Sequence, residues 1–190
     1  GMDTSNLLLQ LTSFHETGTH VLTGTEDLST VLDEQLVKCQ AFLSSPYIAA
    51  FEHRLEKLMT RLQLMSDVME EWLAVQRLYV YLQPIFTAED LKQQLPKEAM
   101  KFIKADREWR EIMVYAVEQP LVMLLVNDVD KDILVRLKNT HEAMEAILGR
   151  LTHYLELKRR SFPRFFFLSD DELLAILAQS RKPDAVQPHL

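Results

Sequence analysis

Residues 156–174 read ELKRRSFPRFFFLSDDELL, and the order of elements in the chain turns on this stretch. Its first residues close a long amphipathic helix. Arg159 and Arg160 stand at that helix's C-terminal end, where cations interact favourably with the helix dipole. Pro163 disfavours the α region for Phe162 and stops the helix. Phe165, Phe166, Phe167 and Leu168 then form a short apolar run between breakers, which predicts a buried strand near 164–168. Ser169 opens the next helix, and Glu172, three residues on, completes a capping box. Helix, strand and helix change over within a few residues. Phe162, Pro163, Arg164 and the four apolar residues after them are therefore the candidate joint or interface.

Upstream of this joint the chain is built for long helices. Asp130 opens a helix whose stripe carries Ile133, Leu134, Leu137, Met144, Leu148, Leu151 and Leu155. His141 falls on the same stripe and reads as a core-edge histidine bonded to a neighbour. Gly149 sits inside this helix at a cost of about 1 kcal/mol relative to Ala. It marks either the close approach of another helix or a flexible point. Further back, Ile48, Phe51, Leu55, Leu58, Leu62, Met65, Met69 and Trp72 recur at alternating steps of three and four, a heptad seam. Ser45-Pro46 predicts the start of that helix, with Ser as cap and Pro at the first position. Pro84 predicts its end near Leu82, and the helix would be on the order of 55 Å long. Thr87 is expected to cap a short helix, with Asp90 three residues on. Pro96 starts another, carrying Phe102, Ile103, Trp109, Ile112, Met113 and Ala116 and ending before Pro120. Trp72 and Trp109 lie on apolar stripes and are expected to be core anchors. Leu121–Val126 is too short to type by periodicity: a turn of helix or a buried connector.

At the N-terminal end, Leu7–Val21 is compatible with a hairpin turning near Gly18, where glycine supplies positive φ at little cost. A helix should follow Thr25, whose hydroxyl can cap it, with Leu28, Val31, Leu32, Leu36 and Cys39 on one face. The predicted strand at 165–168 needs a pairing partner. The expected partner is the N-terminal segment; the other arrangement places it beyond Leu190. The predicted fold is thus mainly α: an elongated bundle of long antiparallel helices with a short β element. Residues 1–24 hold the possible hairpin after an expression scar at Gly1, and 25–190 form the helical part. The ending at Leu190 reads as that of a fragment.

Composition narrows the function. The 190 residues carry 47% hydrophobic and 26% charged side chains, ordinary for a folded chain. The net charge of −7 argues against non-specific binding to a phosphate backbone, so no nucleic-acid partner is expected. No apolar run approaches the roughly 18 residues that span a bilayer, so no membrane partner is expected either. A single cysteine, Cys39, leaves no internal disulfide and fits a reducing compartment. It reads as a small buried apolar residue. No phosphate loop and no dinucleotide fingerprint are present. The six histidines form no zinc-type pair. Asp170, Asp171 and Glu172 are explained by a helix N-terminus. No catalytic, cofactor-binding or metal-ligating residue is predicted.

Several ordered motifs resemble one family. YLELKRRSFPRFFFLSDDELLAIL at 154–177, followed by VQPHL at 186–190, is similar to the linker region of dynein heavy chains. WLAVQRLYVYLQPIFTAEDLKQQLP at 72–96 and DREWREIM at 106–113 resemble the same region in the same order. The resemblance covers roughly Leu28–Leu190, and VQPHL is closer to the axonemal than to the cytoplasmic type. It implies a mechanical lever that couples the nucleotide state of an AAA+ ATPase ring to movement along microtubules, in the cytoskeleton of a cilium or flagellum. It also implies that ATP is bound by ring modules beyond Leu190, and that other dynein chains and microtubules are met only through the full motor. Candidate joints of the lever are Ser44-Ser45-Pro46, Pro84, Pro120 and Phe162-Pro163. A helical scaffold or coiled-coil oligomerisation module would also explain the heptads, but not the FPRFFFLS stretch.

Overall fold

A computed structural model describes residues 6–179. It is mainly α-helical, with one small β-hairpin, β1 (Gln10–Ser13) and β2 (His20–Thr23). The helices are α1 (Thr25–Leu43), α2 (Glu52–Thr87), α3 (Glu89–Gln94), α4 (Pro96–Glu118), α5 (Val122–Val126), α6 (Ile133–Ser161) and α7 (Asp170–Gln179). They divide between two compact units. One holds the residues up to Gln76 together with Glu108–Asn139; the other holds Arg77–Arg107 and the residues from Thr140 onward.

In the first unit the hairpin pairs Gln10 with Thr23 through Ser13 with His20. Gly18, at φ 76°, takes the left-handed conformation that closes the loop. Gly24 (φ 60°), and not Thr25, caps α1, and no side-chain bond is made there. The core gathers Leu22, Leu32, Cys39, Met65, Trp72 and Trp109 with residues of α5 and early α6. Both tryptophans are fully buried, at 0% exposure. Burial pushes the Cys39 thiol above its ordinary range.

Two helix boundaries differ from expectation for a common reason. Ser45-Pro46 does not start α2. The chain instead makes successive turns, with Ile48 N–H donating to the Ser45 carbonyl and Phe51 N–H to the Ile48 carbonyl. Tyr47 and Phe51 are exposed, so a helix over 46–51 would bury little. At the other end Pro84 lies inside α2, which runs on to Thr87. Proline costs a helix interior ~3 kcal/mol. Burying Ile85 and Phe86, the latter stacked on Phe102 at 5.4 Å, offsets it at roughly 1.5–3 kcal/mol each. Thr87 therefore ends α2, donating its hydroxyl to the Pro84 carbonyl, and does not cap α3. The stretch after Pro120 resolves as the short helix α5. α6 opens three residues later than expected, at Ile133, after Asp132 takes φ 42°.

In the second unit Tyr79, Leu82, Leu91, Phe102, Leu155 and Leu173 are buried, and α3 packs on α7. The Tyr79 hydroxyl donates to Asp106 at 2.7 Å. His141 is half-buried, with Nε2 3.4 Å from the Glu145 carboxylate. Gly149 does not mark a close helix approach. Among the described residues, nothing other than its chain neighbours and the nearby backbone of α6 itself lies within 4 Å of where its Cβ would stand.

Candidate functional site

The joint between α6 and α7 is the site that the sequence singles out, and its geometry is not a strand. Phe162 N–H donates to the Lys158 carbonyl at 3.0 Å and closes α6. Phe162 itself is extended, at φ −131° and ψ 90°, as a residue before proline should be. Pro163–Phe165 then form a single 3-10 turn. Phe165 N–H donates to the Phe162 carbonyl (2.9 Å), Phe166 N–H to Pro163 (3.1 Å) and Leu168 N–H to Phe165 (3.1 Å). The predicted strand at 165–168 is therefore wrong, and so is its pairing with the N-terminal segment, which closes on itself as a hairpin. A strand must find a ladder partner for its backbone. Bonds to the residue three back satisfy the Phe165, Phe166 and Leu168 N–H groups locally.

The turn changes which aromatic rings are covered. Phe165 is buried at 9% exposure, whereas Phe166 and Phe167 are 70% and 93% exposed. Phe162 is partly exposed and packs its ring 5.5 Å from that of Phe165. The Arg164 guanidinium lies over both rings, 5.8 Å from Phe162 and 5.0 Å from Phe165. Phe166 and Phe167 meet edge to face at 6.5 Å. The expectation that both faces of the run are covered fails with the strand.

What fastens the joint is Arg159. Its guanidinium donates to the Leu168 carbonyl at 3.1 Å and to the Asp170 carboxylate. The last turn of α6 is thereby tied to the first residue of α7. α7 begins as predicted: Glu172 N–H donates to Ser169 Oγ at 3.2 Å, and Ser169 N–H to Glu172 Oε2 at 3.0 Å. The Tyr81 hydroxyl is pushed above its ordinary range, first by burial and then by the charges of Asp171 and Asp170. Phe162 through Leu168 thus come together at one corner, while Gly149 stands apart within α6 and both tryptophans belong to the first unit. Sequence reasoning gave Arg159 to the helix dipole and missed its bond to Asp170. The available signal was a cation and an anion flanking a proline break. Among the described residues no group of His, Cys, Asp and Glu side chains could hold a metal ion. No helix among them is long and apolar enough to cross a membrane.

Comparison with known proteins gives the family. The family model for dynein heavy chain, N-terminal region 2, matches residues 2–190. The chain belongs to the dynein heavy chain family. It is 41% identical over 186 residues to mouse dynein axonemal heavy chain 1, and 39% over 185 to human dynein axonemal heavy chain 12. It is also 40% identical over 170 residues to human dynein axonemal heavy chain 6. These matches cover 98%, 97% and 90% of this chain, but only 4%, 6% and 4% of the relatives. The dynein segment described here is thus a small part of the length of the heavy chains that it matches.

Proposed function

We propose that this dynein segment is part of a mechanical lever that couples the nucleotide state of an AAA+ ring in the same heavy chain to movement along microtubules. The likeness to axonemal heavy chains supports an axonemal setting. The observation that carries the reading is the Arg159 tie across the Phe162–Leu168 turn. A lever needs stiff members whose directions stay fixed across a break. α6, with 29 residues, is such a member, and the tie holds its end to the start of α7. Pro163 keeps Phe162 extended and stops α6 from running on. In this reading ATP is bound by modules elsewhere in the heavy chain, and the segment itself neither binds nor hydrolyses it. Other dynein chains and microtubules are met through the full motor, and nucleic acid and membrane are not partners.

The test is Pro163→Ala and Arg159→Ala in the full heavy chain, scored by microtubule gliding and ring ATPase together. Slower gliding with ATPase less affected is expected. Unchanged velocity in both variants removes this joint from the mechanism. Calorimetry of the segment with ATP should show no binding, and micromolar affinity would contradict the reading.

A further inference from the structure

The two edges of the hairpin are closed differently. In an antiparallel pair, alternate residues direct N–H and C=O toward the partner strand and away from it. The bond from Phe14 N–H to the Thr19 carbonyl, 2.9 Å, fixes the phase. Given the register, Leu11 and Ser13 of β1 turn their backbone groups outward, as do His20 and Leu22 of β2. On the β2 side the Gln76 carboxamide stands where a further strand would lie. Leu22 N–H donates to Gln76 Oε1 at 2.7 Å, and Gln76 Nε2 donates to the Leu22 carbonyl at 3.0 Å. Only His20, at the turn end, is left beyond it.

On the β1 side a third strand begins and stops. Leu9 N–H donates to the Pro120 carbonyl at 2.8 Å, and Val122 N–H to the Leu7 carbonyl at 3.0 Å, around the Leu8–Leu121 bridge. Residues Pro120–Val122 thus occupy the position beside residues 7–9. The chain then leaves it: Gln119 N–H already donates to the Tyr115 carbonyl in the last turn of α4. The next outward positions, Leu11 and Ser13, have no partner for these groups among the described residues. Natural edge strands are guarded by charge, proline or a bulge. Gln10-Leu11-Thr12-Ser13 has no charge and no proline, its register with β2 is unbroken, and all but Leu11 are exposed.

We propose that Leu11 and Ser13 are the docking edge for one further extended segment of the same heavy chain, outside these 190 residues. That segment continues the third strand that Pro120–Val122 begin. The size of the edge selects this occupant. Two N–H donors and two C=O acceptors can form at most four backbone bonds. That is too little to offset the translational and rotational freedom that a free partner or a second copy loses on association. A strand on a four-residue edge also falls far short of the ~1,200 Å² buried by a stable interface between separate proteins. A tethered segment meets the edge at high effective concentration and avoids most of that loss. The relatives offer such tethers, since the chain spans only 4% to 6% of their length. The inference does not rest on the lever reading.

Hydrogen exchange in the intact heavy chain tests it. The Leu11 and Ser13 amides should be protected about as well as that of Leu22, at every protein concentration. Ser13→Pro removes one outward N–H without touching the bonds to β2. It should speed Leu11 exchange roughly tenfold or more while Leu22 keeps its protection. Rapid exchange at Leu11 and Ser13 in the unaltered chain overturns the proposal. Protection that disappears on dilution assigns the edge to a second copy and also overturns it. Leu11 protection unmoved by Ser13→Pro, with Leu22 intact, means that the cover is not a paired strand.

Discussion

Removing Arg159 tests whether the tie between α6 and α7 carries energy. The guanidinium side chain is 19% exposed and bonds a backbone carbonyl and a carboxylate. Hydrogen bonds to charged groups contribute ~1.5–3 kcal/mol each. Asp170 is 44% exposed, so solvent screens its share toward the ~0–1 kcal/mol of a surface pair. The carbonyl bond keeps more, because Leu168 is half-buried and the Arg159 side chain is only 19% exposed. Arg159→Ala should therefore cost about 2 kcal/mol in total. The specific pair is isolated by a double-mutant cycle with Asp170→Asn, which keeps the shape of the side chain. A coupling of about 0.5–1 kcal/mol is expected, below the cost of Arg159→Ala alone because the Leu168 bond is untouched by the second change. Urea denaturation of the chain, with unchanged m-values across the cycle, is the assay. A total cost under ~0.5 kcal/mol, the range of ordinary surface substitutions, would refute the view that Arg159 fastens the joint.

The same joint should show a sharp contrast among its rings: Phe165→Ala costs ~3–5 kcal/mol, whereas Phe167→Ala stays within about ±0.5, read by thermal or urea unfolding. Trp72→Ala and Trp109→Ala should each cost ~3–5 kcal/mol, and a change below about 1 in urea titration would place the ring in solvent. Gly149→Ala should stabilise by about 1 kcal/mol, since α6 is continuous there and the Cβ meets open space; destabilisation would contradict that geometry. Acid should weaken the first unit through Asp128, whose carboxyl is held below its usual range first by the Tyr115 hydroxyl at 2.6 Å and further by the Lys131 and Asp130 N–H groups, against the opposing effect of burial. A depressed folded value gives stability that is present above the ordinary carboxylate value near 4 and is lost as pH falls through the folded one; Asp128→Asn should flatten the midpoint's pH dependence there. Tyr115 is pushed up to about 12, first by burial and then by Asp128, so its contribution holds below its ordinary value near 10 and disappears as pH rises through 12, which ultraviolet titration of the phenolate would follow.

Features read correctly from the sequence are those in which cause and effect lie within a turn or two of chain. Three- and four-residue spacing placed the long helices because burial rewards one face of each. Ser169 and Glu172 bond each other's backbone three residues apart, so the start of α7 was readable in isolation. Pro96 and Pro120 bound α4 by local backbone rules: proline is preorganised for the first helical position, and it holds the residue before it out of the α region. Pro84 failed as a boundary because Ile85 and Phe86 find a covered site, which only the fold supplies. Arg159 and Asp170 are eleven residues apart, and Gln76 and Leu22 fifty-four. No periodicity links either pair, so helical spacing alone revealed neither tie.

The run Phe165-Phe166-Phe167-Leu168 shows how a strong local pattern can mislead. Four consecutive apolar residues match a buried strand, but a run this short cannot be typed by period. The deciding quantity is where the backbone groups go. As a strand the run would leave them waiting for a ladder, and the N-terminal segment already pairs within itself. As a turn, Phe165, Phe166 and Leu168 each bond three residues back, with no outside partner. The cost of the turn is apolar surface, since it leaves Phe166 and Phe167 exposed and buries only Phe165 of the three phenylalanines. Leaving such a ring in water forgoes roughly 1.5–3 kcal/mol. Stranding several buried backbone groups costs ~1–3 kcal/mol apiece, so the turn prevails. That balance also accounts for the place of Arg159. A turn with so little buried surface of its own needs a bond from outside it to hold its direction, and the guanidinium supplies that bond at Leu168 and Asp170.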